Sequence, residues 1–219
     1  MYIPTTVLST TQAAGIDGWV NDSANAWTRT ANTTFTTTGD RTVVFSKGTR
    51  LRVTDTTTKY FVVVSSSFGA GVTTVTITGG IDYVLAANPS AQSYSYAVNP
   101  QGYPGYFNHT TTFGGFSADP SAVSFVFSVL GSLCNCYLFL TPGTSNATTF
   151  TISLPIAVLQ GGYSQSLRVH NNGANGVTAG MIEFVGSSVT ANLYRDGAFL
   201  AWTASGAKGA WFESLVYQF

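Results

Sequence analysis

Helical periodicity is nearly absent from this chain. Short runs of β-branched and aromatic residues recur about every 8–15 residues, each closed by Gly, Asn, Asp or Ser. Runs that short, alternating in polarity and bounded by turn residues, read as strands, so the fold class is all-β. The runs are also poor in charge. VTTVTITGG (72–80), NTTFTTTGD (32–40) and NATTFTISLP (146–155) hold a single carboxylate between them, that of Asp40. A threonine methyl packs on a pleated sheet while its hydroxyl meets water. The 32 threonines can therefore supply much of the polar surface that Lys and Glu usually provide. Only 8% of residues are charged, against roughly a quarter in an ordinary soluble domain. A monomer needs charge to stay dispersed, whereas a permanent assembly does not, and this texture suits a β-protein that lives in an assembly.

The 219 residues are enough for one large β domain or two modest ones. Residues 1–18 read as an extended arm. Residues 19–95 read as a small β-barrel or meander. Its expected strands include TVVFS (42–46), RLRVT (50–54), KYFVVVSSS (59–67) and VTTVTIT (72–78), with FGAG (68–71) as a hairpin turn. Residues 96–108, YAVNPQGYPGYFN, form a Pro- and Tyr-rich linker, since proline excludes helix and central strand. Residues 109–219 carry longer runs, among them AVSFVFSVLG, CNCYLFLTPG, MIEFVG and GAWFESLVYQF. Seven or eight such strands predict an antiparallel, jelly-roll-like β-sandwich.

Nine basic and nine acidic residues leave no net charge and no basic stripe for a phosphate backbone, so no nucleic-acid partner is expected. The most apolar stretch, SFVFSVLGSLCNCYLFL (124–140), is broken by Ser, Gly and Asn and reads as buried strands, so no membrane insertion is expected. Cys134 and Cys136 would share one strand face roughly 6–7 Å apart with parallel Cβ vectors. That geometry disfavours a disulfide and points to buried free thiols, which suit assembly in a reducing cytoplasm.

The sequence holds little that promises chemistry. His109 and His170 sit beside Asn residues, away from any G-x-S-x-G elbow and without a metal-ligand companion at i+2 or i+4. Glycoside hydrolysis needs two facing carboxyl groups. The C-terminal region offers Asp119, Glu183, Asp196 and Glu213, with Glu183 and Glu213 inside predicted strands. The expected use of these carboxylates is solvent exposure or pairing with Arg168 or Arg195. No catalytic residue, metal or cofactor is assigned.

Residues 24–86 run from a Trp through a Thr-rich strand, Gly-Asp, a KG turn, KYF and TVTITGG. This order resembles a module of bacteriophage virion structural proteins of the tail and fibre type. YSYAVNPQGYPGYFN (94–108) resembles the joint of such proteins, and GTSNATTFTISLP (143–155) with AWTASGAKG (201–209) resembles the sandwich that follows it. The resemblance implies a non-enzymatic fibre, spike or tail component, assembled in the host cytoplasm, located in the virion and forming a homotrimer. The sandwich would then attach to a host-surface glycan, with other virion proteins as partners. A capsid decoration protein that stabilises the shell is the alternative, and a glycan depolymerase the third reading. Under the favoured reading Tyr2, Ile3, Pro4, Val7 and Leu8 are the candidate virion-docking residues. Trp202, beside a Gly- and Ala-rich turn, is the candidate surface contact, expected to be at least partly exposed. Trp211, at the start of the last strand, is expected in the core.

Overall fold

The computed structural model describes residues 15–120, 123–172, 174–175 and 179–219. The docking candidates Tyr2, Ile3, Pro4, Val7 and Leu8 lie outside these residues. All regular structure among the described residues is β. Two compact units are present. One runs to Gly79 and resumes over Tyr83–Pro104, and the other comprises Gly80–Asp82 and Gly105–Phe219. The 96–108 segment is thus divided at Pro104. Its first part is held within the first unit, where Gln101 N–H donates to Asp17 O at 2.9 Å and Trp19 Nε1 donates to Gln101 O at 2.8 Å.

The first unit contains β1 (Val20–Asn21), β2 (Thr28–Ala31), β3 (Thr34–Thr38), β4 (Arg50–Thr54), β5 (Thr58–Gly69), β6 (Val72–Thr78) and β7 (Ala91–Ser95). They form one antiparallel sheet in the order β1-β7-β4-β5-β6-β3-β2. Alternation decides the faces. In β6, Thr73, Val75 and Ile77 are buried while Thr74, Thr76 and Thr78 face outward. Cross-strand pairing aligns Thr28, Thr36, Thr74 and Ser67 into one outward hydroxyl row over four strands. Beneath it, Trp27 stacks on Phe35 at 4.4 Å and meets the edge of Phe45 at 5.2 Å. The β5–β6 hairpin turns on Ala70 and Gly71, both with positive φ, as a two-residue turn matched to strand twist requires.

The expected strand TVVFS is not one. Residues 42–45 form a turn in which Phe45 N–H reaches back to Arg41 O at 3.0 Å. The Asp40 carboxylate starts it by accepting both the N–H and the hydroxyl of Thr42. The turn drops Phe45 into the core and leaves Val43 86% exposed, so local capping overrides β-propensity here.

The second unit contains β8 (Phe107–Asn108), β9 (Phe113–Gly114), β10 (Phe116–Ala118), β11 (Val123–Leu130), β12 (Leu133–Leu140), β13 (Gly143–Ser145), β14 (Thr151–Ser153), β15 (Ser164–Asn171), β16 (Ala174–Asn175), β17 (Gly180–Phe184), β18 (Thr190–Tyr194) and β19 (Ala207–Gln218). The main path is β8-β11-β12-β19-β15-β17-β18-β14-β9, antiparallel throughout. Two strands change partners part-way. The first half of β19 pairs with β13 and β15, and its second half pairs with β12. The first half of β15 pairs with β17 and its second half with β19. Such hand-overs curl the sheet into a sandwich around Phe127, Leu138, Ile152, Phe184, Leu193 and Tyr217.

Candidate functional site

The exchange of partners opens a split. Arg168 on β15 and Trp211 on β19 are the last directly opposed pair, after which β15 continues beside β17 and β19 beside β12. Further along, the Gln165 side-chain amide bridges the gap. Its Nε2 donates to Val216 O, and its Oε1 accepts Val216 N–H at 3.3 Å. Between these two closures lies an open groove of about 320 Å³. Gln165 and Arg168 are three positions apart, so the opening is roughly 10 Å long on its β15 side. Ser166, Arg168, Trp211, Glu213 and Ser214 line it.

A β-bulge equips the groove. Cys136 faces Leu215 and Leu138 faces Phe212, so β19 carries one more residue than β12 over this stretch. The extra residue places both Glu213 and Ser214 on the outer face. The Ser214 hydroxyl donates to Asn135 Oδ1 at 3.1 Å. The bulge also fixes Trp211. Leu215, Tyr217 and Phe219 point inward on one side of it, Ala210 and Phe212 on the other, and Trp211 emerges outward.

The Arg168 guanidinium lies 5.2 Å over the Trp211 ring, and Phe139, 48% exposed, flanks that ring at 6.4 Å. A cation held on an indole face loses little entropy when its N–H groups bind a ligand. On the same outer face, Tyr137 is 40% exposed and Leu133 and Leu130 also reach solvent. The result is a flat aromatic and apolar face with one cation, one carboxylate and two hydroxyls at its groove.

Trp202, expected to be partly exposed, is in the core, and Trp211, expected in the core, is half-buried on the outer face. Trp202 is 2% exposed, its Nε1 donates to Leu193 O at 2.7 Å, and its ring meets Phe150 at 5.2 Å. It is a core residue. Its Gly- and Ala-rich neighbours make a turn, yet the side chain points back into the sandwich.

Several other ionisable residues of this unit are engaged away from the groove. Glu183 accepts from Tyr194 Oη at 2.9 Å and Asn192 Nδ2 at 3.3 Å, rather than pairing with an arginine. Asp196 accepts the N–H groups of Ala198 and Leu200, shaping a turn. His109 is hydrogen-bonded to Ser153 O through Nε2 and packs on Phe125, and burial lowers its pKa despite that bond. Cys134 and Cys136 are buried free thiols with Sγ atoms 3.7 Å apart, and burial pushes the Cys136 pKa well up. Among the described residues, no group of three or more His, Cys, Asp or Glu could hold a metal ion.

The groove left one trace in the sequence, the consecutive polar pair Glu213–Ser214 inside an otherwise alternating strand. The split itself depends on which strands pair and has no local signal. No family model, curated protein or solved structure matches the chain.

Proposed function

We propose that the protein is a non-enzymatic bacteriophage virion component of the fibre, spike or tail type, presenting its second unit for attachment to surface glycans. The outward row Phe139–Trp211–Arg168 carries this reading. Aromatic faces stack on the C–H faces of sugars, while Ser and Glu side chains match sugar hydroxyls. The low charge of the chain and the resemblance of residues 24–108 to tail and fibre modules support placement in a virion. Leu130, Leu133 and Tyr137 add exposed apolar surface suited to contact between copies, in keeping with a symmetric homo-oligomer.

The test is binding of the purified protein to an array of bacterial surface polysaccharides, with gold labelling of particles to locate it. Wild-type protein should bind at least one polysaccharide, Trp211→Ala should lose that binding, and label should fall on tail or fibre. Unchanged binding by Trp211→Ala, or label spread over the head, overturns the reading. Head labelling would favour a shell-decorating role.

A further inference from the structure

We infer that the groove between β15 and β19 recognises a carboxylate-bearing sugar, a uronic or sialic acid unit within a surface polysaccharide. The inference rests on the attachment reading above and specifies its ligand. The second unit contains three Lys or Arg residues, Arg168, Arg195 and Lys208. Lys208 is fully buried and donates to the carbonyl oxygens of Ala147 and Thr149. Arg195 lies 3.7 Å from the Asp196 carboxylate. Arg168 alone of the three is exposed and makes no ion pair with any described residue. Its guanidinium lies 5.2 Å over the Trp211 ring, a cation–π contact that does not consume its N–H donors. A planar donor fork matches a carboxylate in two parallel hydrogen bonds.

Glu213 shares the groove without pairing with Arg168. Its carboxylate accepts hydroxyl protons, and its charge opposes a second anionic group on the ligand. The groove therefore favours one carboxylate among hydroxyls over a phosphate or a multiply sulfated sugar. Ser166 and Ser214 add hydroxyl partners, and the opening of roughly 10 Å suits one or two sugar units. Ser214 is already oriented by Asn135.

The experiment uses the intact protein on an array of bacterial polysaccharides. Each is printed in native form and after chemical reduction of its carboxylates to alcohols. Wild-type protein should bind acidic polysaccharides, and reduction should weaken that binding at least tenfold. Arg168→Gln should lose at least tenfold on the native forms, with an unchanged melting temperature. Raising salt should weaken wild-type binding, with a slope that Arg168→Gln flattens. If wild-type protein prefers neutral or reduced polysaccharides through Trp211, the attachment reading stands and the acidic ligand is overturned. Equal binding by wild type and Arg168→Gln overturns it as well. If Trp211→Ala binds like wild type, or nothing on the array is bound, the attachment reading falls with it.

Discussion

The two units carry similar numbers of charged side chains and use them in opposite ways. The first has six basic and four acidic residues, the second three and five. In the first, ion pairs tie irregular segments to the sheet. Asp22, 1% exposed, grips Arg41 through two hydrogen bonds and also accepts Trp27 Nε1 and Asn25 Nδ2. Asp55 pairs with Lys59 at 2.8 Å and accepts the N–H groups of Ala86 and Ala87. Arg52 reaches Asp17 at 3.2 Å and covers Trp19 at 4.8 Å. The second unit has only the Arg195–Asp196 neighbour pair among its described residues. Its loops and strand ends are held by buried aromatics and by Lys208, whose ammonium lies 4.7 Å over Phe116. Charge neutralised inside a fold cannot recognise anything outside it. The second unit leaves Arg168 exposed and without an ion pair among its described residues, which is the feature the proposed attachment uses.

The sharpest way to break this contrast is Asp22→Ala. It leaves the Arg41 guanidinium without its carboxylate and frees two further donors, at an expected cost of about 3–5 kcal/mol. Hydrogen exchange should show lost protection across β2, β3 and β4 with β11, β12 and β19 unaffected. Lost protection in both units would mean that they do not respond separately. Trp202→Ala should cost a similar or slightly smaller amount, about 3–4 kcal/mol by denaturant unfolding, because a core indole and its bond to Leu193 are removed. A cost below 1 kcal/mol would contradict its place in the core.

The pH responses should also diverge. Burial raises the pKa of Asp55, but the Lys59 ammonium and the amides of Ala86 and Ala87 outweigh it and hold the value at about 2, against the usual 3.8. That stabilisation is complete above pH 4 and fades as pH falls towards 2. After allowance for solvent screening it amounts to about 1 kcal/mol, absent in Asp55→Asn. Burial lowers the Lys208 pKa from 10.5 to about 8. The unfolded chain then binds more protons between those values, so stability of the second unit should rise with pH over that window. The expected gain in melting temperature is about 2–4 °C, and Lys208→Met should remove it. In the same unit the Cys136 thiol and the Tyr217 hydroxyl, whose pKa values burial raises, oppose that gain towards the top of the window. Trp211→Ala should cost about 1 kcal/mol, well below Trp202→Ala, because its indole is half-buried between Arg168 and Phe139. Under the attachment reading it should move the melting curve little and lose polysaccharide binding.

Much of the fold was legible because polarity alternates so regularly. VTTVTIT and RLRVT match β6 and β4 residue for residue, and MIEFVGSSVTANLY closes as the β17–β18 hairpin. The failures have local causes. TVVFS has strand composition, yet the Asp40 cap converts it into a turn. Trp211 looks buried when its parity is read back from Leu215, Tyr217 and Phe219, but the bulge adds one residue and reverses the parity. Trp202 lies in an irregular connection, where alternation gives no direction at all. The groove was the least legible feature, since Gln165 and Val216 are 51 positions apart and meet only once β15 and β19 have diverged.

The bulge in β19 also sets how this surface can change over generations. A point substitution at Glu213 or Ser214 alters one side chain and leaves the strand in frame. Deletion of either residue leaves a single outward position between Phe212 and Leu215, so the strand returns to strict alternation with Phe212 inward and Trp211 outward. What is lost is the extra local twist and the doubled polar edge, and the direction of the indole is kept. The outer face therefore tolerates both substitution and the loss of one residue at this place. Sequence variants should differ in the spacing between Trp211 and Leu215 while keeping the indole on the outer face.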